Sequence, residues 1–372
     1  NLPSPIASVG PNIGSYDDND VIDDNVYYYR IGTTKGGSET IGEEQLFNTI
    51  KFLLVIVTSD KKIIRIDSRG IRIKEAILPY DARDIRVDKM GNFCAVLNDN
   101  TIRKFDVNFN EIWSSYRYND PITTITVDSD NGYIYVGFRV NGKIRRLNLT
   151  TGKEITSENW PFTDISRPVS IIIDSNGYIY SLDYYNYLKK FNSETGNEIW
   201  SKNVINDRAY TMAIDHNEEY LYFSDNQNDY IRKIDASNGD EITTDNWPVN
   251  KHESLVRRIV IDSNTGYIYS GSGDESIKKF EPITGQEVTS EEWPFTGHTN
   301  IVRAVALDSY GNVYSGSSDD KVKKIDMYGR EIWSYELGSS SYKDFAFYEK
   351  WYMTSLSFHF SKLLRKLTPT HP

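Results

Sequence analysis

Histidines and carboxylates are the side chains of this sequence that could do chemistry, and two histidines share one spacing. His252 and His298 each stand ten residues before an aspartate, Asp262 and Asp308. Imidazole and carboxylate groups bind metals and transfer protons. However, the five histidines are scattered, and the sequence has no HExxH motif, phosphate loop or nucleophile-elbow serine. We therefore expect no catalytic residue and no enzyme activity, and we favour a structural role for both histidines over metal binding.

Several turns are rich in carboxylates, among them "SSDDK", "SGDES" and "NQNDY". Calcium requires several oxygen ligands, so these turns are candidate metal sites. The segment "DSDNG" at 128–132 begins like a calcium loop, but Arg139 stands at its twelfth position, where a closing glutamate is needed. Asp and Asn also cap the backbone of β-turns. We expect turn capping and no bound metal.

One phrase recurs along the chain and identifies the elements that must position these side chains. Aligned by its aspartate, it returns every 40–47 residues, at Asp88, Asp128, Asp174, Asp215, Asp262 and Asp308. A period of this length is the signature of a repeat architecture. Each unit reads as two hairpins, in which alternating runs flank a Gly turn. Four short strands at this period predict an all-β fold, a single β-propeller.

A second phrase, two basic residues followed by an apolar one, predicts the number of blades. Its eight copies, two of them looser than the rest, lie at 64–67, 103–106, 145–148, 189–192, 232–235, 278–281, 323–326 and 365–368. We expect eight four-stranded blades, with seven as the alternative. The last copy lacks an outer strand, and the alternating segment 25–32 is expected to supply it and close the ring. The domains are then an arm, residues 1–25, and a propeller, residues 26–372.

The basic pairs have two interpretations. A ring of them could hold an acidic partner. Alternatively, their stems lie on neighbouring sheets while their charged ends reach carboxylates such as Glu198, Glu241 and Glu331. We favour the second interpretation, because a feature present in nearly every blade serves blade packing.

Aromatic residues offer candidate contact sites. Six tryptophans recur near the ends of units, either in "EIW" or four residues later before a proline: Trp113, Trp200, Trp333, Trp160, Trp247 and Trp293. They could stack on sugars, but we favour packing between blades. Tyr184 and Tyr185 occupy a loop where other blades carry small or acidic residues, and loops often bear function. We expect a partner contact there.

The first 20 residues contain three Pro and two Gly and lack strand alternation. Such a stretch buries little surface by itself. It nevertheless carries apolar residues that suit docking on a partner or on another copy of the chain: Leu2, Pro3, Ile6, Val9 and Ile13. The acidic run at 17–25 is expected to be a solvated link, although it could bind a cation.

Composition restricts the partners. The net charge of -11 argues against a nucleic-acid binder. Cys94 is the single cysteine, and the longest apolar run, 52–57, is far too short for a membrane helix. We find no signal peptide, although the chain begins at Asn1 and a leader could have been removed. We expect no cofactor, no membrane insertion, and protein subunits or a cell-surface glycan or receptor as partners.

The segment 296–326 resembles a WD repeat, with its Gly-His, its Ser-Gly-Ser and the aspartate of the following turn. It departs from that pattern at the name-giving tryptophan, which is Ile325 here. The resemblance implies that each histidine hydrogen-bonds a Ser or Thr and the turn aspartate, so that His298 pairs with Asp319 and His252 with Asp274.

The closing phrase "TGNEIW" at 195–200 resembles the tryptophan-docking repeat of eight-bladed propellers that bind pyrroloquinoline quinone. Those enzymes need calcium and often a vicinal disulfide, which one cysteine does not allow. The amino-acid composition, rich in Tyr, Asn and Lys, is also similar to that of propellers of Gram-positive phages. Those propellers are virion or tail proteins. We therefore expect a non-enzymatic structural or interaction module, located in a virion if phage-encoded and otherwise in the cytoplasm.

Overall fold

The computed structural model describes residues 52–338, apart from 158–159, 164, 186, 205–208, 226–228 and 245, together with five further strands. These strands are Val26–Tyr29, Gly32–Lys35, Ser38–Ile41, Gln45–Asn48 and Tyr342–Glu349. The described residues form strands, turns and connections without any helix. By its internal contacts the chain divides into two compact units, residues 53–348 and the remainder.

The larger unit is a propeller of seven antiparallel sheets, numbered here as blades 1 to 7. Blade 1 combines a C-terminal strand with three N-terminal ones, in the order Tyr342–Glu349, Phe52–Thr58, Lys62–Ile66 and Arg72–Ile77. Blade 2 is Ala82–Val87, Phe93–Leu97, Ile102–Phe105 and Glu111–Ser114; blade 3 is Ile122–Asp128, Tyr133–Phe138, Ile144–Asn148 and Glu154–Ile155; blade 4 is Pro168–Ile173, Tyr178–Asp183, Tyr187–Asn192 and Glu198–Asn203.

The remaining three blades follow the same strand order. Blade 5 is Met212–Ile214, Tyr220–Asp225, Tyr230–Asp235 and Val249–Asn250; blade 6 is Val256–Ile261, Ile268–Ser272 and Ile277–Phe280; blade 7 is Val302–Leu307, Val313–Ser317, Lys321–Ile325 and Glu331–Glu336. The first strands of neighbouring blades lie against one another, so they are the inner strands of the ring. In each blade, the first strand given above is therefore the inner one and the last is the outer one.

The prediction of eight blades is wrong, and the alternative of seven is correct. Residues 342–349 are the inner strand of blade 1, which completes the ring with seven blades. The basic pair at 365–368, counted as the eighth copy, lies outside the described residues. Closure by residues 25–32 is not confirmed: Val26–Tyr29 pairs with Gln45–Asn48, and Gly32–Lys35 pairs with Ser38–Ile41.

The recurrent phrase that begins with the aligned aspartate forms the turn between the inner and second strands. In blade 4, Asp174 Oδ1 accepts hydrogen bonds from the backbone N–H groups of Asn176 and Tyr178, at 3.0 and 2.8 Å. Gly177 follows with φ of 79°, a conformation that favours glycine. The aspartate thus fixes the turn that pairs the two strands, which explains why the phrase recurs.

The apolar core lies in layers between adjacent blades. One layer joins blades 3 and 4 and contains Tyr135, Ile144, Trp160, Phe162, Ile165, Ile171, Ile179 and Phe191. Each such side chain contributes about 1.5–3 kcal/mol when fully buried. Because a single blade leaves both faces uncovered, it is stable only between two neighbours.

Candidate functional site

Two hydrogen-bonded Ser–His–Asp groups are the most chemically suggestive clusters in the structure. In blade 7, His298 Nδ1 lies 2.8 Å from Asp319 Oδ2, and His298 Nε2 lies 2.8 Å from Ser315 Oγ. In blade 6 the equivalent distances, from His252 to Asp274 and to Ser270, are both 2.7 Å. The histidine precedes the inner strand, the serine lies on the second strand, and the aspartate occupies the turn after it.

Burial decides what these groups can do. Ser270 and Ser315 are 0% exposed, and His298 is 2% exposed, so a substrate has no path to the hydroxyl. Each aspartate also accepts the backbone N–H of the residue after its histidine, from Thr299 at 3.1 Å in blade 7. The group therefore ties the connection before the inner strand to the turn after the second strand.

The electrostatics of the group agree with this structural role. Burial alone would raise the pKa of Asp319, but the hydrogen bond from His298 and the charge of that imidazole lower it to about 2. The pKa of Asp274 is lowered in the same way by His252. The sequence resemblance identified these His–Asp pairs. It implied a Ser or Thr partner without naming the residue, and the structure assigns that role to Ser270 and Ser315, each the first serine of a Ser-Gly-Ser motif.

The acidic turns bind their own backbone. Asp183 Oδ1 accepts the N–H groups of Tyr185 and Tyr187 at 2.9 Å, and Asp128 Oδ1 accepts that of Asn131 at 3.0 Å. Within the described residues, no three His, Cys, Asp or Glu side chains are grouped so that they could hold a metal ion. In the predicted turns, Asp274 Oδ1 and Asp319 Oδ1 likewise accept the N–H groups of Ser276 and Lys321, both at 3.0 Å, as the capping interpretation expects. Residues 226–228 of the turn "NQNDY" lie outside the described residues.

The first residue of each basic pair binds the outer edge of its own blade. Its charged end reaches a glutamate on or near the outer strand: Arg103 to Glu111, Arg145 to Glu154, Lys189 to Glu198, Arg232 to Glu241, Lys278 to Glu287 and Lys323 to Glu331. The distances run from 2.6 Å for Lys323 to 3.8 Å for Lys278. These contacts link the third strand to the outer edge of the blade.

The second residue of the pair points to the opposite side of the sheet and reaches the next blade. Lys104 Nζ donates to the carbonyl oxygen of Leu149, and Lys190 Nζ to that of Ala236, both at 3.1 Å. Lys190 also lies 4.4 Å from the ring centroid of Tyr178, a cation–π contact. Burial lowers the pKa of Lys190, and nearby carboxylates oppose that shift. These buried cations hold adjacent blades together, which leaves them inaccessible to a partner.

Six tryptophans perform the same task. Each indole N–H donates to a turn carbonyl of the next blade: Trp113 to Leu149, Trp160 to Ser193, Trp200 to Ala236, Trp247 to Ile283, Trp293 to Met327 and Trp333 to Ser68. The three tryptophans that precede a proline belong to blades 3, 5 and 6, whose outer strands are short or missing. Their indoles still reach the equivalent turns, so the two sequence variants make the same contact.

The predicted contact tyrosines lie in the turn between the second and third strands of blade 4. Tyr185 is 62% exposed, whereas Tyr184 is half-buried, with the Arg167 guanidinium 4.1 Å from its ring centroid. The two tyrosine rings are 5.6 Å apart. The predicted arm residues Leu2, Pro3, Ile6, Val9 and Ile13 lie outside the described residues.

Comparison with protein families agrees with the propeller fold described above. A family model described as outer membrane protein assembly factor BamB matches residues 53–245, more than half of the chain. The chain belongs to this family. A second model, the WD domain G-beta repeat, matches residues 289–326, which include the His298 group. The protein is thus a propeller of the WD-repeat and quinoprotein-like type, and no curated protein matches it.

A comparison of folds leads to the same architecture. The chain is similar to the crystal structure of the computationally designed Ika8 protein, with a TM-score of 0.60 and 18% sequence identity over 78% of this chain and 85% of that chain. At this identity the likeness concerns the fold alone. Among the described residues, no helix is long and apolar enough to cross a membrane.

Quinoprotein-like propellers raise the question of a quinone with calcium. The described residues do not fit that pair, because no carboxylate cluster could hold a metal ion and the aspartates named above are bound to turns and histidines. The one thiol, Cys94, is fully buried, and burial raises its pKa to about 12. No step of the proposed function uses a quinone or a metal.

Proposed function

We propose that the protein is a non-enzymatic interaction module, a rigid propeller that works as a subunit of a larger protein assembly. The burial of Ser270 and Ser315 supports this proposal most directly, because it denies a substrate access to the serines of both Ser–His–Asp groups described above. The tyrosine-rich composition supports a phage virion as that assembly.

The arm supplies the tether in this proposal. Removal of residues 1–20 should abolish association with the partner or with other copies, while the unfolding temperature of the propeller stays unchanged. Crosslinking of the native assembly and thermal unfolding measure the two effects. Association that survives the deletion would contradict the tether, and a lower unfolding temperature would show that the arm belongs to the fold instead.

Absence of catalysis has a separate test. The protein is mixed with pyrroloquinoline quinone and calcium, and absorbance and unfolding temperature are recorded. We expect neither to shift. A saturable shift in both would contradict the non-enzymatic proposal.

A glycan-binding propeller is the second candidate. Tyr185 and Tyr187, which are 62% and 43% exposed in one turn, favour it because aromatic rings stack on sugar faces. A glycan array decides between the candidates. Specific binding that is lost in Tyr185→Ala and Tyr187→Ala would favour the glycan role, and no binding would favour the protein assembly.

A further inference from the structure

The inner strands contain a β-bulge that takes no part in the contacts between blades described above. Their pairing with the second strands shifts register at one equivalent position in five blades, which marks a β-bulge. The bulged residue stands five positions before the turn aspartate, and in three blades it is an arginine: Arg83 in blade 2, Arg257 in blade 6 and Arg303 in blade 7. Bulges often redirect a side chain at a functional site. These three residues are called the rim arginines below.

The contacts of the rim arginines place them at one face of the ring. Arg303 Nε donates to Ser318 Oγ at 2.5 Å, and Arg83 Nε donates to Asn98 Oδ1. Both acceptors lie in or beside the turn between the second and third strands. Because the inner strands surround the centre of the ring, the rim arginines stand around the mouth of the central channel on that face.

A tyrosine extends this set in blade 5. Tyr210 occupies the same position before its turn aspartate as the rim arginines do, and it is 40% exposed. The Arg257 guanidinium lies 4.5 Å from the centroid of its ring. Blades 5, 6 and 7 therefore present an aromatic ring and two guanidinium groups at consecutive rim positions.

The groups that the rim arginines contact are neutral, whereas many arginines elsewhere pair with carboxylates. Five arginines outside the inner strands pair with carboxylates: Arg69 with Asp67, Arg72 with Glu75, Arg103 with Glu111, Arg145 with Glu154, and Arg330 with Asp326. Within the described part of the chain, the rim arginines contact no carboxylate at ion-pair distance. Among the described residues, no ion pair neutralises these three charges, although the protein as a whole carries a net charge of -11.

We propose that the rim arginines and Tyr210 form the docking site for an acidic peptide segment of a protein partner. Guanidinium groups bind carboxylates through paired hydrogen bonds, and their separation over several blades suits an extended chain with several acidic side chains. This proposal rests on the proposed interaction function and names the chemistry of the partner.

The test measures binding of a fluorescein-labelled polyglutamate peptide by fluorescence anisotropy. The triple variant Arg83→Gln, Arg257→Gln, Arg303→Gln should bind roughly tenfold more weakly, since three charge pairs with the peptide are removed. The matched control is Arg69→Gln, Arg72→Gln, Arg330→Gln, which removes the same charge from exposed arginines that already have carboxylate partners. The control should bind like the unaltered protein. Both variants are first shown to keep the unaltered unfolding temperature.

Any of four results of the binding measurement would overturn the proposal: no binding by the unaltered protein, equal binding by the rim variant, equal weakening in the control, or equally tight and equally arginine-dependent binding of a single-stranded oligothymidylate. The last result would indicate a general polyanion site. Crosslinking of the native assembly is measured with the same variants. If the rim variant loses peptide binding but still assembles, the proposed docking site is wrong and the proposed interaction function stands. If the unaltered protein never assembles, the proposed interaction function itself is wrong.

Discussion

The indole N–H of Trp333 donates a hydrogen bond to the carbonyl oxygen of Ser68 across 3.0 Å, and this contact joins blade 7 to blade 1. The two residues are far apart in sequence, yet their contact repeats the one made at five other junctions. At the junction from blade 1 to blade 2, Lys74 takes the position of the tryptophan and donates to the Asn108 carbonyl at 2.6 Å. The ring therefore has a polar contact of this kind at every junction.

Trp333→Phe should lower the free energy of unfolding by about 1–2 kcal/mol, because it removes one hydrogen bond and part of the buried ring. Urea unfolding measures the change. Trp113→Phe is the matched control at an internal junction and should cost a similar amount. If the Trp113 change is costly and the Trp333 change is neutral, the ring is not closed between blades 7 and 1.

Gly152 makes room for a docked tryptophan. Its φ is 69°, and a Cβ atom would lie 2.5 Å from the Trp113 ring. Gly152→Ala should therefore cost about 2–4 kcal/mol, from the left-handed backbone and from displacement of the ring. Gly132→Ala is the control, since φ is 75° and no atom lies within 4 Å of the added methyl group. It should cost only about 1 kcal/mol; equal costs in urea unfolding would contradict the docking role.

The His298–Asp319 contact predicts a loss of stability in acid. The folded pKa of Asp319, about 2, lies below its ordinary value of 3.8. Its contribution to stability is therefore complete above that ordinary value and is lost as the pH falls toward 2. When the pH falls from about 5 to about 3, the free energy of unfolding should decrease in both proteins. The decrease should be about 1 kcal/mol smaller in Asp319→Asn than in the unaltered protein.

The exposed carboxylate of Asp130 provides the control for this measurement. Its side chain is 90% exposed, so Asp130→Asn should leave the difference between the two pH values unchanged. An unchanged difference in Asp319→Asn would show that the contact does not stabilise the fold. An equal effect of both substitutions would indicate a general charge effect.

The blade itself could be predicted from sequence because its signals are local. The recurrent phrase forms a turn through contacts within five residues, as at Asp174 and Tyr178. Likewise, the glutamate partners of the first basic residues lie eight or nine positions away, on or near the outer strand, and the sequence predicts Glu198, Glu241 and Glu331 among them.

The number of blades could not be predicted in this way. Residues 342–349 pair with Phe52–Thr58, nearly the whole chain away, and they carry no copy of the recurrent phrase. Their role depends on the geometry of closure rather than on a local pattern. Counting basic pairs therefore gave one blade too many.

Two features of the candidate sites were also missed for physical reasons. Side chains alternate across a strand, so the two basic residues of a pair face different neighbours, and only one of these lies in the same blade. The rim arginines are set apart by a β-bulge, which the sequence does not mark. Without the bulge, Arg83, Arg257 and Arg303 look like ordinary exposed strand residues.

Closure of a seven-bladed ring by residues 342–349 underlies every assignment above, and truncation tests it most directly. A chain that ends at residue 350 should keep one cooperative unfolding transition in circular dichroism, because all seven blades are complete. A chain that ends at residue 340 should lose that transition, because blade 1 then lacks its inner strand and the ring is open. Loss of the transition in the longer chain, or its survival in the shorter one, would contradict the seven-bladed ring.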